Sequence, residues 1–299
     1  MVMIKKTLIT FLFLFILYYV FNNIYKPKYV APQELWQDSQ MKAQDYLLSS
    51  HDSLENVIVG SSLGYVIDID SLSGFYNLSL RGSQPYAGLD LIERKGEYPR
   101  RVFIETNTLF MELAADNIFH DVLYNPLIYP ARKHIVALRD GRQPILTLAN
   151  AIQDPLLDRD KMSGYLYDQS YLFAKSINVA DSLAVVQRVM AYNTEPPADA
   201  LEYGLRQLHH YLDLFKQHNT EVVFFEMPVC QILRNQPRAT ATRRILSENF
   251  SPDQYVYLSN QVDRYPFTTY DTMHLDTLEA KIYTHHFKME VDSLLRMGK

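Results

Sequence analysis

Cysteine is almost missing from this chain: Cys230 is the only one in 299 residues. One thiol closes no intramolecular disulfide and supports no multi-cysteine metal site. The nine histidines show no His-Glu-x-x-His spacing, which excludes the zinc-protease pattern. A surplus of positive charge is also lacking. Lys and Arg number 29 against 34 Asp and Glu, a net charge of −5, so the sequence carries no nucleic-acid footprint. Internal repeats and low-complexity segments are absent as well. What remains is an ordinary globular balance, 47% hydrophobic and 21% charged, on a chain long enough for one large domain or two small ones.

The N-terminus departs from that balance. Lys5 and Lys6 precede "TLITFLFLFILYYVF", Thr7–Phe21, which holds no charge, and Asn22 and Asn23 follow. A membrane span takes about 20 residues, so the run is short for one. A secretory signal is the alternative, but no small-x-small cleavage site comes after it. A buried core helix fits least, because the run is apolar on every side. The reading is an uncleaved signal anchor over residues 1–25, with the lysines cytoplasmic and the rest of the chain outside. Residues 26–50 read as a polar stalk containing a short helix, "PQELWQDSQMKAQDYLL".

Five apolar segments follow with strand character: "NVIVG" at 56–60, "FYNLSL" at 75–80, "RVFIET" at 101–106, "EVVFFEM" at 221–227 and "YVYLS" at 255–259. Most are continuous rather than alternating, as in strands covered on both faces. Helical spacing of Leu201, Leu205, Leu208, Leu212 and Phe215 precedes the fourth. Tyr283, Phe287, Val291 and Leu294 keep the same spacing after the fifth. This alternation predicts an α/β fold with a parallel five-stranded sheet over residues 51–299. A turn-rich insertion at about 110–200 is either a lid, a substrate-binding segment or structural padding. Its tyrosines 124, 129, 165, 167 and 171 either stack on sugar rings or pack the insertion against the sheet.

Chemistry concentrates at the strand ends, where parallel sheets bind ligands. Ser61 and Ser62 end the first strand, Gly82 follows the second, Asn107 the third, and "YDTMHLD" the fifth. A serine hydroxyl needs a base to take its proton, and the base needs a carboxylate to orient it. Ser62, His274 and Asp271 are candidates for those three roles. The backbone N–H groups of Ser62 and Gly82 and the side-chain amide of Asn107 are candidate oxyanion donors. Each piece has a plain alternative: helix caps for the serines and Asn107, a turn glycine for Gly82. Arg81 is either a contact for an anionic substrate or a surface arginine. Asp276 opens a capping box, "DTLE", for the last helix. His209, His210, His285 and His286 read as structural or solvent-facing.

The set resembles the SGNH, or GDSL-type, hydrolase superfamily. Gly60-Ser61-Ser62-Leu63 stands where that family has Gly-Asp-Ser-Leu, with Ser61 in place of the aspartate. Gly82 matches the second-block glycine and Asn107 the third-block asparagine, although Gly-x-Asn-Asp is absent. Asp271-x-x-His274 matches the fifth block. "GSS" with "NLSLRGSQPYAGL" is similar to membrane-anchored envelope members: alginate O-acetyltransferase-like proteins and teichoic acid D-alanyl transfer proteins. The resemblance implies a three-layer α/β/α sandwich of SGNH or flavodoxin-like type. It also implies a bacterial inner-membrane location with the domain in the periplasm or outside, and a serine esterase or O-acyltransferase acting on a surface glycan. It implies no cofactor or metal, and a partnership with a multi-spanning membrane acyltransferase. A small-molecule esterase or lipase, and a non-catalytic scaffold or glycan-binding protein, remain open alternatives.

Overall fold

The five apolar segments lie side by side as one all-parallel sheet in the order β2-β1-β3-β4-β5. The strands are β1 Asn56–Val59, β2 Phe75–Asn77, β3 Arg101–Glu105, β4 Glu221–Phe225 and β5 Val256–Tyr257. The computed structural model describes residues 2–24, 35–48, 55–112, 123, 125–126, 128–144, 179–258 and 265–297. Every residue of β1 and β3 is buried, the physical reason their sequences are continuously apolar. β2 is shorter than its apolar pattern suggests. The chain nevertheless stays beside β1, with Leu78 N–H donating to Ile58 O (2.7 Å) and Leu80 N–H to Gly60 O (3.0 Å). β1 sits between β2 and β3, so connections leave it toward both sides of the sheet. In parallel α/β sheets the crevice at such a reversal is where ligands bind.

Helices flank the sheet. Ala198–Gln217 buries Leu208, Tyr211, Leu212 and Phe215, the spacing expected from sequence. Thr277–Met297 buries Tyr283, Phe287 and Val291 in a cluster with Ile58, Phe103, Val223 and Phe225. The Phe287 ring lies 5.6 Å from Phe103 and 5.3 Å from Phe225. Each such side chain contributes about 1.5–3 kcal/mol by leaving water. This helix is thereby fixed over the middle of the sheet. Its start is fixed too, because Asp276 Oδ1 accepts Glu279 N–H at 2.9 Å. Glu279 does not complete the box; it accepts from Thr268 Oγ1 at 3.1 Å. The expected insertion contains a helix, Val179–Tyr192, whose Tyr192 joins the same core.

The chain divides into two units, 51–116 with 164–299, which carries the sheet, and 1–50 with 117–163. In the second of these, the N-terminal helix runs over Val2–Ile24. Its span from Met3 to Ile24 is 22 residues, long and apolar enough to cross a membrane. At 1.5 Å per residue that is about 33 Å, against about 30 Å of hydrocarbon. The helix continues past the apolar run through both asparagines, whose side-chain amides bond back onto it. Asn22 Nδ2 donates to Tyr18 O (3.0 Å) and Asn23 Nδ2 to Tyr19 O (2.8 Å).

The helix Leu35–Leu48 belongs to the same unit and meets the short turn Asp140–Arg142. Gln40 and Gln44 both donate to Asp140 Oδ2, and Arg132 Nη2 lies 2.7 Å from Oδ1. Asp140 N–H donates to Gln44 Oε1 at 2.9 Å. A buried carboxylate is tolerated only with such partners, and this one ties the helix to residues 128–142. The Tyr18 hydroxyl donates to Arg142 O from the C-terminal part of the N-terminal helix. Tyr129 is half-buried here, while tyrosines 124, 165, 167 and 171 lie outside the described residues.

Candidate active site

Ser62 begins with β1. The strand ends at Val59, and residues 60–67 form a tight loop beyond it, closed by Tyr65 N–H donating to Ser61 O at 3.1 Å. Two neighbouring strands reach under this loop. From β2, Asn77 Nδ2 donates to Gly64 O (2.9 Å), Ile67 O (3.2 Å) and Tyr65 O (3.3 Å). From β3, the fully buried Glu105 accepts three donors of the loop. Ser61 N–H and Gly64 N–H lie 2.8 and 2.9 Å from Oε2, and Ser61 Oγ lies 2.8 Å from Oε1. Burial pushes the Glu105 carboxyl up, against the pull of Ser61, Gly64 and the charge of His274. Ser61 is itself buried and spent on Glu105, whereas Ser62 is half-exposed.

His274 arrives from the loop after β5. That loop is pinned by a bridge between Thr269 and Leu275 and by Tyr270 N–H donating to His274 O at 3.0 Å. Within it Asp271 works with both oxygens. Oδ1 accepts His274 N–H (2.7 Å) and Met273 N–H (3.1 Å), shaping the turn. Oδ2 lies 2.8 Å from His274 Nδ1. Thr272 pays for this turn with φ of +76°, rare for a β-branched residue. Its carbonyl accepts Cys230 N–H at 2.9 Å, which ties the turn to the chain beyond β4.

His274 Nε2 lies 2.9 Å from Ser62 Oγ. Burial alone would raise the Asp271 carboxyl, but the hydrogen bonds and charge of His274 and the Arg188 guanidinium hold it well below the usual carboxylate range. An ionised carboxylate accepts only, so Nδ1 carries the imidazole proton and Nε2 is left to accept from Ser62. The three residues singled out by sequence thus stand in one hydrogen-bonded line, drawn from loops 212 residues apart.

No protein-family model, no curated protein and no solved structure matches this chain. The site therefore stands on its own geometry.

The candidate oxyanion donors divide. Among the described residues, neither Ser62 N–H nor Gly82 N–H has a hydrogen-bond acceptor. Gly82 has φ of +74°, which suits glycine, and is exposed. The Asn107 side chain is engaged elsewhere. Its Nδ2 donates to Met227 O (2.9 Å) and its Oδ1 accepts Met227 N–H (2.7 Å), joining the ends of β3 and β4. Among the described residues the second Nδ2 hydrogen has no acceptor. The Arg81 guanidinium lies 4.1 Å from the centre of the Tyr65 ring. Its charge reaches Tyr270, whose ring stacks on His274 at 5.9 Å. His210 pairs with Glu93 (3.1 Å) and the His209 ring packs against Phe250 (4.8 Å). Among the described residues no group of three or more His, Cys, Asp or Glu is arranged to hold a metal.

Three residues escaped the sequence reading: Asn77, Glu105 and Arg188. Arg188, on the helix Val179–Tyr192, lies 3.1 Å from Asp271 Oδ2 and also donates to the Asp271 carbonyl. The signal for Glu105 was present. A carboxylate closing a strand buried on both faces must have partners nearby.

Proposed function

We propose that the protein is a serine-dependent acyl transferase or esterase of SGNH type, held at the cell envelope by its N-terminal helix. The observation that carries this reading is the Ser62–His274–Asp271 line, with contacts of 2.9 and 2.8 Å. Ser62 Oγ attacks the carbonyl carbon of an acyl ester or thioester as His274 Nε2 takes its proton. The unaccepted N–H groups of Ser62 and Gly82, with the spare hydrogen of Asn107, serve the tetrahedral oxyanion. Collapse expels the alcohol or thiol, which receives the proton from His274. Water or a sugar hydroxyl then attacks the acyl-enzyme, His274 again moving the proton, and Ser62 is restored. An anchored enzyme stays where envelope polymers emerge, which favours a surface glycan as acyl acceptor or donor.

The test uses full-length protein in detergent and a fluorophosphonate probe. The probe should label the wild type on Ser62, and Ser62→Ala should abolish labelling without a change in melting temperature. Labelling that persists in Ser62→Ala would remove the nucleophile. Acetyl transfer from an activated ester to envelope oligosaccharides, read by mass spectrometry, separates transfer from hydrolysis. A tag after Lys299 should be exposed outside the cytoplasm of intact cells; full-length protein in the cytosolic fraction would remove the anchor.

A further inference from the structure

We propose that Glu105 is a positioning residue for Ser62, acting through the loop rather than on substrate. The proposal rests on reading Ser62 as the nucleophile. Glu105 ends β3, one strand away from β1, and is 0% exposed. Burying a carboxyl there costs several kcal/mol unless its oxygens are satisfied. Among the described residues, all the hydrogen bonds it accepts come from a single stretch, Ser61 to Gly64.

The pattern brackets Ser62. The residue before it and the residue two after it donate their N–H groups to the same oxygen, Oε2, at 2.8 and 2.9 Å. The Ser61 hydroxyl donates to Oε1 and accepts Leu63 N–H at 3.2 Å, so the intervening residue is tied as well. With residues 61, 63 and 64 fixed from below, Ser62 is the one side chain of the turn left to face His274. The loop also leaves room for the carboxyl. A Cβ added to Gly60 would lie 2.6 Å from Oε2, and one added to Gly64 would lie 2.9 Å away. Both glycines close around Glu105, which links the glycine spacing of "GSSLG" to a residue 41 positions past Gly64.

Two substitutions separate positioning from filling. In Glu105→Gln the amide oxygen still accepts both N–H groups and its NH2 donates to the Ser61 hydroxyl. Glu105→Leu fills the space but offers no acceptor. Full-length proteins in detergent would be compared by fluorophosphonate labelling rate at Ser62 and by amide hydrogen exchange across residues 61–64. Misplacing a reacting atom by about 1 Å costs on the order of 100-fold, so Glu105→Leu should label about 100 times more slowly. Glu105→Gln should stay within about fivefold of wild type by the same argument. Exchange at Ser61 and Gly64 should accelerate in Glu105→Leu alone. Should Glu105→Leu fail to fold, Gly64→Ala places a Cβ 2.8 Å from Ser79 Oγ and 2.9 Å from Glu105 Oε2, presses the carboxyl out of place and should slow labelling likewise. Wild-type labelling and exchange in Glu105→Leu, or in Gly64→Ala where Glu105→Leu does not fold, would overturn the proposal. If the wild type itself never labels while exchange still accelerates, Glu105 keeps its role in the loop and the nucleophile assignment falls.

Discussion

Replacing Asp271 by asparagine probes the candidate site at its most defined point. The amide oxygen can keep the Oδ1 contacts to Met273 N–H and His274 N–H, so the turn should survive. The NH2 group, however, replaces the oxygen that lies 2.8 Å from His274 Nδ1. Nδ1 must then accept rather than donate, the proton moves to Nε2, and Nε2 can no longer take one from Ser62. A base held in the wrong tautomer loses about 10⁴-fold in rate, or about 5.4 kcal/mol at 1.36 kcal/mol per decade. The same NH2 faces the Arg188 guanidinium, 3.1 Å from the present oxygen. That pair is partly exposed, with 32% and 20% of the two side chains accessible, so its loss should cost only about 1 kcal/mol. The expected melting shift is therefore about 2–4 °C. The assay is hydrolysis of an activated acetyl ester by full-length protein, with thermal unfolding beside it. More than about a tenth of wild-type kcat/KM would refute the tautomer argument. A collapse in melting temperature would refute the claim that the turn is spared.

Arg188→Met should lower kcat/KM about tenfold, because Asp271 keeps its loop contacts but loses the cation on Oδ2; an unchanged rate would make Arg188 incidental. Asn77→Leu removes a donor from three loop carbonyls, of which Gly64 O keeps Ile67 N–H, and should cost about 2–4 kcal/mol in urea unfolding. The pH dependence of stability should also separate wild type from Glu105→Gln. The folded-state pKa of Glu105 is raised, so the neutral form favours folding. Wild type should then lose stability relative to the glutamine variant as pH rises from the ordinary value of 4.5 through the raised one. Parallel curves would contradict this.

The strands were legible because burial on both faces leaves its mark in the sequence itself: "NVIV" and "RVFI" have no polar alternation to misread. That Ser62, Asp271 and His274 would meet was legible because each lies just beyond a strand of a parallel sheet, whose carboxyl ends gather their loops together. Asn77 and Glu105 were not. Their roles depend on β1 lying between β2 and β3, a neighbour relation that the order of residues along the chain does not state. Arg188 was hidden differently, in a turn-rich stretch with no strand pattern around it. Asn107 shows the opposite limit. Its residue type and place suit an oxyanion donor, yet most of its bonding capacity goes to Met227.

The N-terminal helix has a bearing on how this protein is handled at the bench. Membrane proteins with a single terminal span are routinely trimmed to a soluble fragment, on the premise that the span is only a tether. Here the Tyr18 hydroxyl binds the Arg142 carbonyl, Asn22 is buried, and the helix touches the turn Val136–Leu138. A cut between residues 24 and 35 would remove both the hydrogen bond to Arg142 O and the packing of the helix on the turn Val136–Leu138. In such a fragment amide exchange across residues 136–142 should be faster than in the intact chain in detergent, and results from it would describe a different molecule.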